Sequence, residues 1–508
     1  MKISTTRLQA FLLALAGLFG VTFGFALIHP MSGSADEQAH QLYAYAVVSG
    51  QAPLSEDREL QAPAWLLKEG PWCWRFDARV PATCATADGT MASAPSEMVT
   101  AETTASNYPP LFYVTTGWPL LFLEGHKAAY ALRFLTALQF SAIAAAGIAA
   151  LGRNDRRSGL LRVLAAACLT PTAITAAGGF NPQGLEIAAA LLLVASGWPL
   201  VSRSANEYSS NLRWAGVVAG SALLILSRPT GPIWAVLLAL LLLVGAGSRW
   251  SSLIREKAFL VYVGVSAAAC AVWLGWRIFT PQTIEPPAGI PENCGVACVS
   301  LHMMNTLPNL IPRTIGVTGW DDTVIAWTTA VAGLLILAAV LAAGLDVDRS
   351  ASRRAILLGI LFIPVSAITI ERMVIEDAGF MWQARYAMPF ILSLIWIAAQ
   401  SAWEMATSQR VRACLALLSW AALAFQSYAL VTYARFCIQR FWWGVESGPI
   451  PWDAVPRAAR LGLGVVIGTL LLSVALIVAS RLRGRTRVLG GDSAPAGSHR
   501  VDPAESAR

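Results

Sequence analysis

The stretch LQAFLLALAGLFGVTFGFALI at residues 8–28 decides the fold, because it contains no charged side chain along its whole length. A membrane-spanning helix needs about 20 apolar residues, whereas the apolar core of a signal peptide has about 7–15. SGSADE at 32–37 has the small residues of a cleavage site, but the length of the apolar stretch favours a retained first span. Since Lys2 and Arg7 precede it, the N-terminus is predicted to lie in the cytoplasm.

The composition of the whole chain agrees with this first span. Of its 508 residues, 56% are hydrophobic and only 13% are charged, against about 25% charged in an average soluble domain. The low charge excludes a cytosolic enzyme of this length, and the high apolar content excludes a disordered scaffold. Continuous apolar runs also exclude an outer-membrane barrel, whose strands alternate. The sequence therefore predicts an all-α polytopic membrane protein.

Eleven further apolar runs follow the first, so the sequence predicts about twelve transmembrane helices. These runs lie at about 128–151, 160–177, 184–201, 213–227, 232–247, 258–276, 323–345, 355–371, 386–402, 411–433 and 461–480. The two runs around SRPTG could instead form one broken helix, which would invert the topology of everything downstream. The run at 111–123 is short and contains Pro119, so it predicts an interfacial helix.

The formal net charge of +7 follows from this topology and does not predict a nucleic-acid partner. Alternating spans place most Lys and Arg residues on the inner side and the acidic excess outside, as the positive-inside rule requires. The predicted protein is a multi-pass plasma-membrane protein with both termini in the cytoplasm. Its predicted parts are one transmembrane domain at 1–480, external segments at 30–127, 277–322 and 434–460, and a disordered tail at 481–508.

An acidic pair follows the first span within the motif DEQAH at 36–40. Asp36 and Glu37 are predicted at the outer membrane surface with His40 close by, where they could meet a substrate whose reactive group lies among the lipid headgroups. The alternative is an acidic loop that only follows the negative trend of the outer side.

Four cations are predicted at outer helix ends: Lys127, Arg133, Arg228 and Arg385. The planar guanidinium group of arginine binds two phosphate oxygens at once, so these residues are candidates for an anionic substrate. Two alternatives stay open: the side chains snorkel to the interface, or Arg133 pairs with a carboxylate of the external loop.

Five motifs in order carry a family resemblance: DEQAH at 36–40, YPPLFY at 108–113, GGFNPQGLE at 178–186, SRPTGP at 227–232 and QARYAMP at 383–389. The set resembles the actinobacterial membrane-protein family catalogued as domain of unknown function 2142. The acidic pair, the PPL segment and an arginine in the next span are also similar to polyprenyl-phosphate-sugar glycosyltransferases of the GT-C fold, such as aminoarabinose transferases and protein O-mannosyltransferases. Aminoarabinose transferases have a lysine before the two prolines, where this chain has Tyr108.

The resemblance implies a GT-C-like enzyme that moves a sugar from a polyprenyl phosphate to an envelope or cell-wall glycan, lipid or protein. Asp36 would be the catalytic carboxylate, and Glu37 its neighbour or a ligand of a divalent metal. The implied donor-phosphate ligands are Lys127, Arg133, Arg228 and Arg385, and the implied substrate contacts are His40, Tyr108, Asn181 and Tyr386. A plain turn before an apolar helix would also explain Asn181 and Glu186. Other classes left open are a transporter or flippase of lipid-linked glycans and a non-catalytic assembly protein.

Four cysteines fall in predicted external segments: Cys73, Cys84, Cys294 and Cys298. An oxidising compartment favours two local disulfides, Cys73–Cys84 and Cys294–Cys298. A zinc site at CGVAC with His302 is the alternative, and it would require reduced thiols. No metal site is predicted from the cysteines.

Overall fold

The computed structural model describes residues 5–68, 73–84, 97–152, 158–202, 210–280, 294–444 and 449–489, and helices dominate it. The α-helices are α1 Thr5–Ile28, α2 Glu37–Val48, α3 Trp65–Lys68, α4 Leu111–Thr116, α5 Gly125–Ala150, α6 Ser158–Ala167, α7 Pro171–Gly178, α8 Gln183–Val201, α9 Ser210–Ile225, α10 Gly231–Ala246, α11 Trp250–Leu253, α12 Lys257–Phe279, α13 Val296–Ile315, α14 Trp327–Leu345, α15 Ser350–Ala378, α16 Met388–Met405, α17 Gln409–Trp443 and α18 Arg457–Leu489. Single 3₁₀ turns lie at Trp118–Leu121, Gly247–Arg249 and Ala384–Ala387. Two antiparallel pairs complete the fold, β1 Glu59–Pro63 with β2 Met98–Glu102 and β3 Val317–Thr318 with β4 Thr323–Val324.

Within the described ranges, ten helices are long and apolar enough to cross a membrane, or eleven if the bent pair α6 and α7 forms one span. The shorter apolar helix α9 corresponds to the predicted run at 213–227, so each of the twelve predicted runs has a helical counterpart. The prediction of an all-α polytopic membrane protein is therefore confirmed, and the lipid bilayer is its environment.

One predicted span is broken in the middle. The run at 160–177 forms α6 and α7, which are bent by 71° relative to each other. The bend precedes Pro171, the first residue of α7. Proline has no N–H for the helix ladder and clashes with the preceding turn, so it begins a new helix more readily than it continues one. The bend brings the short helix α7 against β3 and α1.

Helix α8 lies at the centre of the bundle. All of its residues are buried, and it packs against α5, α9, α10 and α16. A helix that is apolar all round is stable only when protein or lipid surrounds it completely. The amino end of α8 therefore lies near the centre of one end of the bundle. We call this end the site end. Helices α1 and α9 end there, and helices α5, α8, α10 and α16 begin there.

Described parts of the predicted external segment at 30–127 form regular secondary structure. Helix α2 is mostly buried, including Leu42 and Tyr43, and it packs on β1 and α4. The pair β1–β2 joins residues 59–63 to residues 98–102. This part of the chain covers the site end because α2 has an apolar face of its own to bury.

Other boundaries differ from the predictions. Helix α17 runs on through the aromatic segment to Trp443, ten residues beyond the predicted end of that span at 433. The predicted external segment at 277–322 contains α13, which carries exposed apolar side chains such as Leu301 and Met304. The tail is predicted to begin at residue 481, but α18 continues to Leu489. Residues 490–508 lie outside the described part of the chain.

Candidate functional site

Asp36 lies at the site end, directly before α2. Its backbone has φ 61° and ψ 8°, in the left-handed region, which aspartate and asparagine tolerate better than most residues. Its side chain makes no capping hydrogen bond to α2, and 45% of that side chain is exposed. The Asp36 carboxylate instead accepts a hydrogen bond from Arg385 Nη2 at 3.2 Å, so it faces the opening of the site end.

Glu37, the next residue, points the other way into the protein. Arg133 donates to both of its carboxylate oxygens at 2.7 Å, and both side chains have no exposed surface. The backbone N–H groups of Ser34 and Phe180 donate to the same carboxylate. Burial alone would raise the pKa of Glu37, but the charge of Arg133 and these hydrogen bonds hold that pKa below its usual range.

Arg133 is occupied on all sides by groups of the protein. Besides Glu37, it donates to the backbone carbonyls of Ala26, His29 and Pro30. Of the two alternatives stated for Arg133, the structure contains the second: Arg133 pairs with a carboxylate that follows the first span, that of Glu37. The pair fixes the turn from α1 to α2, and this turn carries Asp36.

Asp36 and Glu37 have different partners, and these partners decide whether the two carboxylates could bind the divalent metal that the family resemblance allows. Both oxygens of Glu37 are already used, whereas Asp36 faces Arg385. Within the described ranges, no three His, Cys, Asp or Glu side chains lie close enough together to hold a metal ion. The residues around Asp36 and Glu37 therefore do not form a protein-only metal site.

Arg228 lies between α9 and α10 and forms a second buried ion pair. Its Nη1 donates to Glu186 at 3.2 Å, and its Nη2 donates to the Tyr108 hydroxyl at 3.3 Å. Thr230 donates to the other oxygen of Glu186 at 2.8 Å. The SRPTGP motif therefore contacts the YPPLFY motif through Arg228, and it contacts Glu186 of α8 through Arg228 and Thr230.

Tyr386 joins the two halves of the site. The guanidinium of Arg228 lies 5.3 Å from the centre of its ring, and that of Arg385 lies 5.4 Å away. Tyr386 thus brings two guanidinium groups together beside Asp36. Each of them also pairs with a carboxylate, Arg228 with Glu186 and Arg385 with Asp36.

His40 is buried beneath this cluster. Its Nδ1 is hydrogen-bonded to the Tyr113 hydroxyl at 2.8 Å, and its ring meets Tyr108 edge to face at 5.0 Å. Burial lowers the pKa of His40 to about 3, although the charge of Asp36 opposes this shift. His40 is therefore neutral, and its ring packs against Tyr108.

A cavity opens beside Asp36, and Arg385 is one of its walls. Asn181, Gln183 and Asp321 line it from the amino end of α8 and from the turn between β3 and β4. The segment that follows α1 is attached to this turn, because Ser34 pairs with Gly319 in a β-bridge. Asn181 also donates from its side chain to the backbone carbonyl of Ala35 at 3.3 Å.

Sequence reasoning missed Gln183 and Asp321 and gave no partner to Glu186. A signal was present for Asp321, since the adjacent acidic residues of GWDD at 319–322 repeat the pattern of the DE pair after the first span. Asp322 accepts from the fully buried Arg440 at 3.1 Å. The second acidic pair is therefore divided like the first: Asp322, like Glu37, is held by a buried arginine, and Asp321 lines the cavity.

Lys127 lies apart from the other predicted cations. It is exposed near the amino end of α5 and lines a separate pocket with Phe122, Leu123, Glu124 and His126. Of the predicted phosphate ligands, Arg228 and Arg385 share the ring of Tyr386, and Arg133 is fully buried with Glu37.

Two disulfides, Cys73–Cys84 and Cys294–Cys298, are present in the structure. Arg440 donates to the carbonyls of Trp74 and Val80, so the first disulfide loop is attached to α17. Because Arg440 also binds Asp322, this loop and the turn that carries Asp321 share one anchor.

The spans define a class, the multi-pass α-helical membrane proteins, and the sequence defines a family within it. The sequence model of the family described as "Predicted membrane protein (DUF2142)" matches residues 19–394, so the chain belongs to this family. The matched region contains Asp36, Arg228, Asp321 and Arg385. A comparison with curated proteins finds none that matches the chain.

Proposed function

We propose that the protein is an integral membrane glycosyltransferase of GT-C type, which transfers a sugar from a polyprenyl phosphate to an envelope or cell-wall acceptor. One observation carries the proposal. The half-exposed carboxylate of Asp36 lies 3.2 Å from Arg385, and Arg385 shares the ring of Tyr386 with Arg228. The residues that we propose as the base and as the two phosphate ligands are thus neighbours at one end of the membrane bundle.

Transfer of a sugar from a polyprenyl phosphate needs a base for the acceptor hydroxyl and cations for the departing phosphate. The oxygen of the acceptor hydroxyl bonds to the anomeric carbon, and its proton passes to the carboxylate of Asp36. The bond from the anomeric carbon to the phosphate oxygen breaks, and the polyprenyl phosphate leaves with the electron pair. Arg228 and Arg385 stabilise this anion, so no general acid is needed.

The other predicted residues take supporting roles in this proposal. Tyr108 and Tyr386 flank Arg228 within 5.6 Å and bound the place of the phosphate. His40 and Asn181 support Tyr108 and the cavity wall. The Glu37–Arg133 pair positions Asp36 and does not touch substrate, and Lys127 lies outside the site.

The charge pattern supports a location for this reaction. If the N-terminus of α1 is cytoplasmic, then the site end lies outside, and the basic loops such as RNDRRSGLLR at 153–162 and DRSASRR at 348–354 lie inside. We place the protein in the plasma membrane with both termini in the cytoplasm and the site at the outer leaflet. A lipid-linked sugar would then reach Arg385 from the side.

Donor binding tests the phosphate site. In Arg385→Lys the charge is kept but the planar fork is lost, and we expect about tenfold weaker binding of a labelled polyprenyl-phosphate sugar in detergent or lipid discs, the equivalent of one good hydrogen bond. The matched control is Arg79→Lys, because Arg79 is an exposed arginine that also pairs with an aspartate, Asp77. Equal donor affinity for Arg385→Lys and wild type would contradict the phosphate role, and no donor binding by wild type would contradict the function.

A further inference from the structure

The cavity beside Asp36 has hydrogen-bonding groups that the protein does not use. In the part of the chain that the structure describes, Gln183 Oε1, Asp321 Oδ1 and Ser34 Oγ are buried and have no hydrogen-bond partner. All three residues line this cavity. Gln183 and Ser34 are more than nine-tenths buried. Buried polar groups in folded proteins are almost always satisfied by protein, ordered water or a ligand, so these unpaired atoms mark a place for one small hydrogen-bonding group in the cavity.

The neighbours of these groups fix which atoms are unpaired. The side-chain nitrogen of Gln183 donates to the backbone carbonyl of Arg385. Because a carbonyl only accepts, the amide oxygen of Gln183 is the atom left over. Asp321 uses Oδ2 to accept from Arg313 Nε at 2.9 Å, which leaves Oδ1. The ligand group must therefore donate to an acceptor, and it can accept from the hydroxyl of Ser34.

The size and charge of the cavity limit which chemical group can bind there. The interior is narrow and has room for a group about the size of one water molecule. Arg385 and Asp321 lie together in its wall, so their opposite charges offset each other and the lining favours neither a cation nor an anion. A neutral hydroxyl both donates and accepts and fits this space.

The position of the cavity connects this hydroxyl to the reaction. Ser34 is two residues from Asp36, and Arg385 both lines the cavity and binds Asp36. A molecule with one hydroxyl in the cavity would thus present an adjacent hydroxyl to the carboxylate of Asp36. A serine or threonine side chain has only one hydroxyl and cannot fill both places.

We infer that the cavity anchors a second hydroxyl of the acceptor, so the acceptor is a sugar or another polyol and not a protein hydroxyl. This inference rests on the proposed function for the direction of the reaction. The cavity itself only binds the hydroxyl, and no bond is made or broken there.

Binding of small probes tests the cavity directly. Saturation-transfer NMR on the protein in lipid discs would measure binding of methyl glycosides of mannose, glucose and arabinose, with N-acetylserine amide as the monohydroxyl probe. We expect at least one glycoside to bind and the serine probe not to bind. No glycoside binding, or equal binding of the serine probe, would overturn the inference.

Two variants connect that binding to the unpaired atoms. Asp321→Asn keeps an oxygen for Arg313 and replaces the unpaired acceptor with an N–H₂ donor, and Ser34→Ala removes only the hydroxyl. Each should weaken glycoside binding about fivefold or more, because a buried group is left unpaired, while the exposed control Asp77→Asn should bind as wild type. Undiminished binding in both Asp321→Asn and Ser34→Ala would overturn the assignment of the cavity.

The transfer reaction separates this inference from the proposed function. Labelled sugar that passes from a polyprenyl phosphate to a glycoside acceptor supports both. Transfer to a serine peptide but not to glycosides would keep the function and overturn the polyol acceptor. Glycoside binding that depends on Asp321, without donor binding or transfer, would overturn the function and leave the cavity as a polyol site.

Discussion

At the scale of single residues, the DE pair shows how two identical charges take different roles. Successive residues at the start of a helix point in different directions, so Asp36 faces the opening while Glu37 faces Arg133. The buried Glu37–Arg133 pair holds the turn in place. The sequence predicts that both carboxylates matter but does not say which one reaches solvent, because that depends on where α2 begins.

Breaking this pair should therefore destabilise the protein. Glu37→Gln keeps the shape but leaves the charge of Arg133 buried without its counter-charge, and loss of one partner of a buried pair costs about 3–5 kcal/mol. We expect a clearly lower melting temperature in detergent. The exposed pair offers a control, since Asp77→Asn should leave the melting temperature unchanged. Equal melting of Glu37→Gln and wild type would refute the positioning role.

At the scale of elements, close packing of α1 and α18 holds the helix that leads into the site. A side chain at Gly24 would bring its Cβ within 2.6 Å of Val466 Cγ2 and 2.9 Å of the carbonyl oxygen of Gly462. Small residues allow membrane helices to approach closely where there is little hydrophobic force between them. The position of α1, and with it the turn at Asp36, depends on this contact.

Gly24→Leu should separate α1 from α18. Overpacking a tight contact typically costs about 1–3 kcal/mol, so we expect a lower melting temperature and weaker donor binding. A Cβ at Gly468 of α18 would meet no atom within 4 Å, and Gly468→Leu is therefore the matched control. If both variants melt alike, the contact of α1 with α18 does not position the site.

The helices themselves could be predicted because hydrophobic runs record burial in lipid or protein directly. The short elements could not. Helix α2 and the turn that carries Asp321 are polar segments that become ordered through contacts with distant residues, such as the bridge of Ser34 to Gly319. The Asp36–Arg385 contact joins residues 349 positions apart, and one sequence holds no signal for such a pairing.

At the scale of the whole molecule, every segment of the site must lie on one side of the membrane for the proposed reaction to occur. Segments before α5, α8, α10, α14 and α16 all meet at the site end, so an alternating topology places them together. We propose that this end is the outer one, because the distribution of Lys and Arg favours that orientation.

Cysteine labelling measures this sidedness. In a background without the four free cysteines, Ser55→Cys should react with a membrane-impermeant thiol reagent in intact cells, whereas Ser251→Cys should react only after the cells are opened. Both positions are exposed, so accessibility in the folded protein does not separate them. Labelling of Ser251→Cys in intact cells would reverse the topology.

The measurement that tests the central claim most directly is sugar transfer by Asp36→Asn. Asparagine is nearly isosteric and tolerates the left-handed backbone at this position, so the protein should fold and should still bind the polyprenyl-phosphate sugar. Loss of the general base should slow transfer of the labelled sugar to an acceptor by about 10²- to 10⁴-fold, while Asp77→Asn transfers as wild type. Full transfer by Asp36→Asn would contradict the role of Asp36 as the base and leave a transporter or a non-catalytic envelope protein as the better description.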